Sequence, residues 1–252
     1  MSPKVSIVTI VRNDAEGFLA TARSILTQDY GNIEWIVVDG ASTDGTSSYV
    51  RKLAPCIAQC LIEPDKGIYD AMNKGIDLVS GDWAFYLNAD DTFAEPTTIS
   101  SYVAQLQPDD DIVYADARRR EDGAIHSYRP PDEYWLGMTL DHQSACIRSA
   151  IYRELRFDTS LDSAGDLDFF SRARLAGYSF RKLESLVSII KPFEQGRSSD
   201  YCSRQSERVA VLRRHFDGPK LRQALASEFE GYRQRAPDAH DAYTALMDLI
   251  KE

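Results

Sequence analysis

The sequence predicts an α/β fold: a mainly parallel sheet with helices on both faces. Three observations predict it. Short apolar runs alternate with amphipathic stretches through residues 1–117, the pattern of repeated strand–helix–strand units. Those runs are almost unbroken in hydrophobicity, as strands covered on both faces are. The chain has 252 residues, 43% of them hydrophobic and 10% aromatic, which suffices for one large core and argues against disorder or a fibrous repeat.

The elements follow in order. Val5–Val11 forms the first strand. Asn13 or Asp14 caps a helix in which Phe18, Ala22, Ile25 and Leu26 recur at helical spacing. Residues 34–39 make the second strand, and Thr43 opens a helix with Tyr49, Val50 and Leu53 inward. The third strand spans 58–63. A helix over 68–79 then places Tyr69, Met72, Ile76 and Val79 on one face. Residues 83–88 and 111–116 complete the strands of the front half. Residues 118–141 are polar, hold Arg118-Arg119-Arg120 and Pro130-Pro131, and read as a hairpin and loops. A strand at 143–148, a helix at 164–176 and a strand at 183–190 follow. From about 203 the chain is helical, with Val209, Leu212 and Phe216 on one face. The expected division is a domain over 1–202, with halves 1–117 and 118–202, and a helical extension over 203–252.

Charge narrows the class. The chain carries 39 acidic and 29 basic side chains, a net −10, which argues against a nucleic-acid binder with a basic face. Residues 1–117 hold 18 acids and 7 bases (−11), and residues 118–252 hold 21 and 22 (+1). Cys56, Cys60, Cys146 and Cys202 are too few for a disulfide scaffold, and their spacing makes a poor zinc site. The apolar run at the N-terminus is too short to span a membrane and lacks a cleavage pattern, so the expected location is the cytoplasm.

In open α/β sheets the ligand lies beyond the carboxyl ends of the strands. There this sequence places Arg12-Asn13-Asp14, then Asp39-Gly40-Ala41-Ser42-Thr43-Asp44-Gly45, then Glu63-Pro64-Asp65-Lys66-Gly67, then Asn88-Ala89-Asp90-Asp91. One carboxylate at a strand end is an ordinary cap or turn. Four on one edge repel unless a cation or a hydrogen-bonding ligand compensates them. The expectation is Mg²⁺ or Mn²⁺, the metals that oxygen ligands select, with a polyhydroxylated or base-bearing ligand. No G-x-G-x-x-G, P-loop or G-x-S-x-G segment exists, against a dinucleotide oxidoreductase, a P-loop nucleotidase and a serine hydrolase.

Four ordered segments resemble family-two glycosyltransferases of the GT-A fold. They are Val5–Val11 with Asn13, Val37–Thr46, Asp65–Gly75 and Leu87-Asn88-Ala89-Asp90-Asp91. The resemblance is strong over 4–91 and weaker to about 200. It implies that Thr9, Asn13 and Asp39 hold the base and ribose of a nucleotide sugar. Asp65 would be a further carboxylate of that pocket, with Asn73 and Lys74 on a helix near the donor. Asn88-Ala89-Asp90 takes the D-x-D position on the nucleotide sugar with its first Asp replaced by Asn, whose amide can still accept a ribose or sugar hydrogen bond. Metal binding then falls to Asp90, with Asp91 beside it. Ser163-Ala164-Gly165-Asp166-Leu167-Asp168 stands where the family has Glu-Asp before a helix, which makes Asp166 the general base, with Gly165 replacing the Glu. By residue type alone, Asp166 serves equally well as a helix cap with Asp168 in the first turn. His142-Gln143 resembles a pair lining the sugar or acceptor pocket, Gln195–Ser199 resembles a mobile loop, and Asp168 and Ser198 are expected in the same pocket.

The implied activity is metal-dependent, inverting transfer from a nucleoside-diphosphate sugar, UDP-linked by preference, to a saccharide or lipid-linked acceptor, as in polysaccharide synthesis. Two other classes stay open. A sugar-1-phosphate nucleotidyltransferase needs a Gly- and Arg-rich phosphate loop after the first strand, which Arg12-Asn13-Asp14 is not. A catalytically silent sugar-nucleotide-binding module is the other. Arg118–Arg120 reads first as a solvated loop, and second as a contact for an anionic acceptor. The tail face at Val209, Leu212 and Phe216 reads first as packing or a homodimer contact, and second as a peripheral membrane contact.

Overall fold

The structure, a computed structural model, describes residues 2–128, 133, 140–190 and 201–235. Its strands are β1 (Val5–Val11), β2 (Ile33–Asp39), β3 (Gln59–Ile62), β4 (Trp83–Tyr86), β5 (Thr92–Phe93), β6 (Ile112–Arg119), β7 (Ile125–His126), β8 (Ala145–Arg148) and β9 (Phe180–Ile190). The helices are α1 (Ala15–Leu26), α2 (Thr46–Lys52), α3 (Ile68–Leu78), α4 (Thr98–Gln105), α5 (Ser149–Leu155), α6 (Gly165–Leu175), α7 (Tyr201–His215) and α8 (Gly218–Arg235).

One sheet runs in the order β3-β2-β1-β4-β8-β6-β9-β5, with β7 on β6. The first four strands are parallel. β8 enters antiparallel between β4 and β6, so the two strands that follow one another as apolar runs are not neighbours. The chain moves outward from β1 through β2 to β3, then returns to place β4 on the other side of β1. That reversal opens a crevice at the carboxyl ends of β1 and β4. The pairing outlasts the strand, since Leu87 and Ala89 donate to Val8 and Ile10 carbonyls at 3.0 Å each.

Burial explains the apolar runs. Val8 and Ile10 of β1 and Ile36 and Val38 of β2 pack with Met72 and Ile76 of α3 on one face. Val5, Ile7 and Val11 join Trp35, Val37 and Phe18 of α1 in the cluster on the other. β3 differs: Gln59 and Cys60 are exposed, and among the described residues no strand pairs beyond it.

A side-chain cap sets the start of α1. Asp14 accepts from Gly17 N–H at 2.9 Å and opens α1. α2 begins at Thr46, three residues later than its expected Thr43 start. That turns Thr46, Ser47 and Val50 inward and leaves Tyr49 exposed, where the sequence pattern had placed it inside. Leu26 likewise ends α1 half exposed. The helices α4 and α5 have no counterpart in the sequence reading. Both are short, so their inward residues (Ile99 and Tyr102, then Ile151 and Tyr152) give a period too brief to read.

The tail helix α7 packs on α6. Val209, Val211, Leu212 and Phe216 belong to the same apolar cluster as Ile10 and Met72. The stripe Val209, Leu212, Phe216 is therefore a packing face, and it is not offered to a membrane. Among the described residues no helix is long and apolar enough to cross one.

Candidate active site

The loops at the carboxyl ends of β1 and β2 brace each other. Asn13, at φ 51°, accepts from Thr43 N–H at 2.7 Å, and its own N–H donates to Ser42 Oγ at 2.8 Å. Asp39 is fully buried. Its Oδ1 accepts from Ser42 N–H (2.9 Å) and Ser42 Oγ (2.6 Å), and Ser47 Oγ donates to Oδ2. Gly40 follows because a Cβ there would stand 2.0 Å from Asp65 Oδ2. Asp65 is thus seated against the β2 loop, with Arg12 3.6 Å away and Gly67 N–H donating to it at 3.1 Å. Asn13, Asp39 and Asp65 meet at one edge, as expected.

Several other assignments change. Thr9 lies inside the sheet, 0% exposed, and its hydroxyl accepts from the indole N–H of Trp35 at 3.1 Å, so it faces the core rather than a base. Asn73 is a staple: its amide donates to Phe157 C=O and accepts from Phe157 N–H, both at 2.9 Å, tying α3 to the segment after α5. Lys74 pairs with Glu63 (2.8 Å) and Asp70 (3.3 Å) and donates to Pro64 C=O, which closes the β3–α3 loop. Asp91 is 1% exposed, so Asp90 is the carboxylate of the pair that this turn offers at the surface. Asp168 is held by Arg172 (2.7 Å), His215 (2.8 Å) and Arg214 (3.3 Å), which commits it to joining α6 and α7. Burial works against its charge, yet the His215 and Arg172 hydrogen bonds bring its pKa below the ordinary carboxylate value. Ser198 and the loop Gln195–Ser199 lie outside the described residues.

The remaining residues form a connected site. His142 stands on a 3₁₀ turn over His142–Ser144, between the crevice and α6. Its Nδ1–H donates to Asp166 Oδ2 at 2.7 Å, and its Nε2 meets the amide nitrogen of Asn88 at 2.9 Å. All three residues are buried, at 8%, 7% and 7% exposure. Burial disfavours the imidazolium, but Asp166 first, then Asp91 and Asp141, outweigh it and raise the His142 pKa above its ordinary value. Asn88 Oδ1, Gln143 Oε1 and Asp166 Oδ1 are buried with no hydrogen-bond partner among the described residues.

Asp166 is placed by contacts remote in sequence. Glu207 of α7 accepts from the N–H groups of Asp162 (2.7 Å), Ser163 (2.6 Å) and Ala164 (2.6 Å). The hydroxyl of Tyr69 accepts from Gly165 N–H at 2.9 Å. The Ala164 and Gly165 N–H groups at the start of α6 are thus bonded from α7 and α3, and its N-cap residue, Ala164, makes no side-chain cap hydrogen bond. Gly165 stands where the resemblance expects Glu because a Cβ there would meet the Tyr69 ring at 2.5 Å.

Asp90 sits on the β4–β5 turn at φ 75°, about a quarter exposed. The guanidinium of Arg120, at the end of the β6 hairpin arm, contacts both its carboxylate and its carbonyl. Sequence reasoning passed over Arg120 as one of three loop arginines, and nothing in the local pattern distinguishes it. A hard oxygen donor at the surface suits Mg²⁺ or Mn²⁺, which bind through one or two carboxylates plus substrate phosphates and water. Among the described residues no group of three or more His, Cys, Asp or Glu can hold a metal alone. Such an ion would be shared between Asp90 and a diphosphate.

This sheet order with carboxylates at the crevice defines a GT-A nucleotide-sugar fold, and residues 6–177 match the family described as glycosyl transferase family 2. The chain belongs to that family. A PGL/p-HBAD biosynthesis glycosyltransferase of Mycobacterium tuberculosis is 33% identical over 164 residues, covering 63% of this chain and 62% of that protein. The chain thus matches under two thirds of that relative's length. An uncharacterised glycosyltransferase of Haemophilus influenzae is 27% identical over 237 residues, covering 84% and 72%. Among solved structures, S. aureus TarS 1–349 in complex with UDP-GlcNAc superposes with a TM-score of 0.75 at 17% identity, covering 98% of this chain and 80% of that one. A mannosyltransferase from Pyrobaculum calidifontis, in complex with GDP-Man and Mn²⁺, gives 0.69 at 22% identity, covering 99% and 75%.

Proposed function

We propose that this chain is a metal-dependent, inverting glycosyltransferase. It moves a sugar from a nucleoside-diphosphate sugar to a hydroxyl of a saccharide or lipid-linked acceptor. The observation that carries the reading is Asp166: a buried carboxylate with one oxygen engaged by His142 and the other without a partner among the described residues. In a family of sugar transferases, that is the disposition of a general base.

Asn13 and Asp65 would meet the base and ribose, on a loop that the buried Asp39 holds in place through Ser42 and Ser47. Asp166 Oδ1 takes the proton of the acceptor hydroxyl. The acceptor oxygen uses its lone pair to form the bond to the anomeric carbon, and the bond from that carbon to the diphosphate oxygen breaks with its pair leaving on the diphosphate. Attack from the face opposite the leaving group inverts the anomeric centre and needs one base, which contributes about 10²–10⁴-fold. Asp90 would hold Mg²⁺ or Mn²⁺, which when bound supplies charge stabilisation to the leaving diphosphate. UDP-sugars stand first as donors, with GDP- and dTDP-sugars behind.

The test is a thermal-shift screen of UDP-, GDP- and dTDP-sugars with and without Mn²⁺, followed by turnover of the best binder. Stabilisation by a nucleotide sugar and release of the nucleoside diphosphate support the reading. Pyrophosphate release from a nucleoside triphosphate, or tight binding without turnover, removes it.

A further inference from the structure

We infer that His142 is a positioning residue for Asp166: it occupies one carboxylate oxygen and leaves the other free for the acceptor hydroxyl, while Asn88 holds the ring from its far side. This rests on Asp166 being the general base.

The three residues come from separate parts of the fold. Asn88 ends the β4 run, His142 lies on the 3₁₀ turn before β8, and Asp166 is in the first turn of α6. They join through 2.9 Å and 2.7 Å contacts within the interior. The Tyr86 ring packs edge-on to the imidazole, with centroids 6.4 Å apart and an interplanar angle of 88°. An imidazole bonded at both nitrogens and packed on a side has one orientation. A carboxylate that accepts at Oδ2 from that ring is fixed in turn. Asp166 Oδ1 then remains a buried acceptor with no partner among the described residues, which points to a donor supplied by a ligand.

The chain of contacts also accounts for Asn at position 88. Asp166 faces the ring from α6, Asp91 from the β4–β5 turn, and Asp141 from the residue before it. An amide donates to the Nε2 of a neutral ring and leaves the hydrogen on Nδ1, where Asp166 needs it. A carboxylate at 88 has no hydrogen to give and would add a fourth acid around the imidazole. During transfer the acceptor proton goes to Asp166 Oδ1, and His142 neither gains nor loses one.

Two measurements test this. In turnover of the nucleotide sugar selected by the screen, His142→Leu should lower kcat about 10- to 100-fold, the loss seen when partners that orient metal-ligating side chains are removed. The donor KM should stay unchanged, and His142→Asn, whose amide N–H can replace Nδ1–H, should recover most of the loss. Equal loss in both variants, or an effect confined to KM, overturns the inference. The second readout is long-range ¹⁵N NMR, tractable with only four histidines in the chain. Recorded above the titration of the ring, it should find the hydrogen on Nδ1 of His142. An active wild type with the hydrogen on Nε2 overturns this inference alone. A wild type that turns over no nucleotide sugar overturns the glycosyltransferase reading, and this inference with it.

Discussion

The guanidinium of Arg120 lies on the carboxylate of Asp90, so the surface carboxylate of the β4–β5 turn already has a cation supplied by the chain itself. Arg120 reaches it from the end of β6, whose backbone is anchored there by Arg120 N–H donating to Ile190 C=O at 3.1 Å. Any metal that uses Asp90 competes with this pair. Arg120→Ala should therefore bind Mn²⁺ about fivefold more tightly, the equivalent of one partly exposed ion pair. Asp90→Ala should bind it no better than buffer. Electron paramagnetic resonance titration of free Mn²⁺ in the presence of UDP measures both. Unchanged Mn²⁺ affinity in the two variants removes Asp90 as the metal-holding residue.

Asp166→Asn keeps the shape of the side chain and removes its basicity. Transfer should fall about 10²–10⁴-fold with nucleotide affinity unaltered. Calorimetric titration with UDP alongside initial rates separates the two quantities, and near-wild-type turnover would exclude the base assignment.

Gly165 is a packing requirement of Tyr69. Gly165→Ala forces a methyl to within 2.5 Å of the ring, and overpacking of this kind costs about 1–3 kcal/mol. Urea unfolding should register that loss. Shrinking the ring in a Gly165→Ala, Tyr69→Leu double variant should cost less than the sum of the two single changes, because the clash is gone.

Asp168 makes the corresponding prediction for the tail. It is 1% exposed and shared by Arg172, Arg214 and His215. Removing one partner of a buried charge cluster leaves the others uncompensated, so Asp168→Ala should cost about 3 kcal/mol in urea unfolding. A loss below about 0.5 kcal/mol, the range of ordinary surface changes, would mean that α7 does not depend on this cluster.

Glu34 sets an acid limit. Burial pushes its pKa up, but the hydroxyls of Ser6 and Ser80, the Ser80 N–H and the Lys4 ammonium more than offset this and bring it from 4.5 to about 2. The folded value is the lower one, so its stabilisation is complete above the ordinary value and is lost as pH falls toward about 2. Glu34→Gln should be less stable than wild type at neutral pH, with the gap closing between pH 4.5 and 2. Melting temperatures of the two proteins across that range check the sign, and a gap independent of pH would remove Glu34 as its source.

Much of this was legible before any coordinates. Strands buried on two faces need mostly apolar residues, and β1 and β2 carry them at all positions but Ser6, Thr9, Glu34 and Asp39. Asp39, Asp65 and Asp90 follow strands, and a parallel sheet must bring such ends to one edge. The misplacements share one cause: a side chain's role depends on what packs against it. Thr9 and Asn73 have polar side chains in the right segments, but Trp35 and Phe157 claim them from elsewhere in the chain. Asp168 sits two residues from Asp166 in the same helix, and α7 takes up Asp168 through Arg214 and His215 while Asp166 faces His142. Ser198 stays an expectation of the resemblance alone.

The sequence by itself determined the alternation of strands and helices, the acidic sheet edge and the family, because periodicity, composition and short motifs are local properties. Only the tertiary structure decided that β8 separates β4 from β6, that Arg120 covers Asp90, and that Asn88, His142 and Asp166 form one line. The Asn88–His142, Asp90–Arg120 and His142–Asp166 contacts join residues 24 to 54 positions apart. Contacts at such separations are set by which elements share a sheet and which faces close on each other, and no local pattern encodes that.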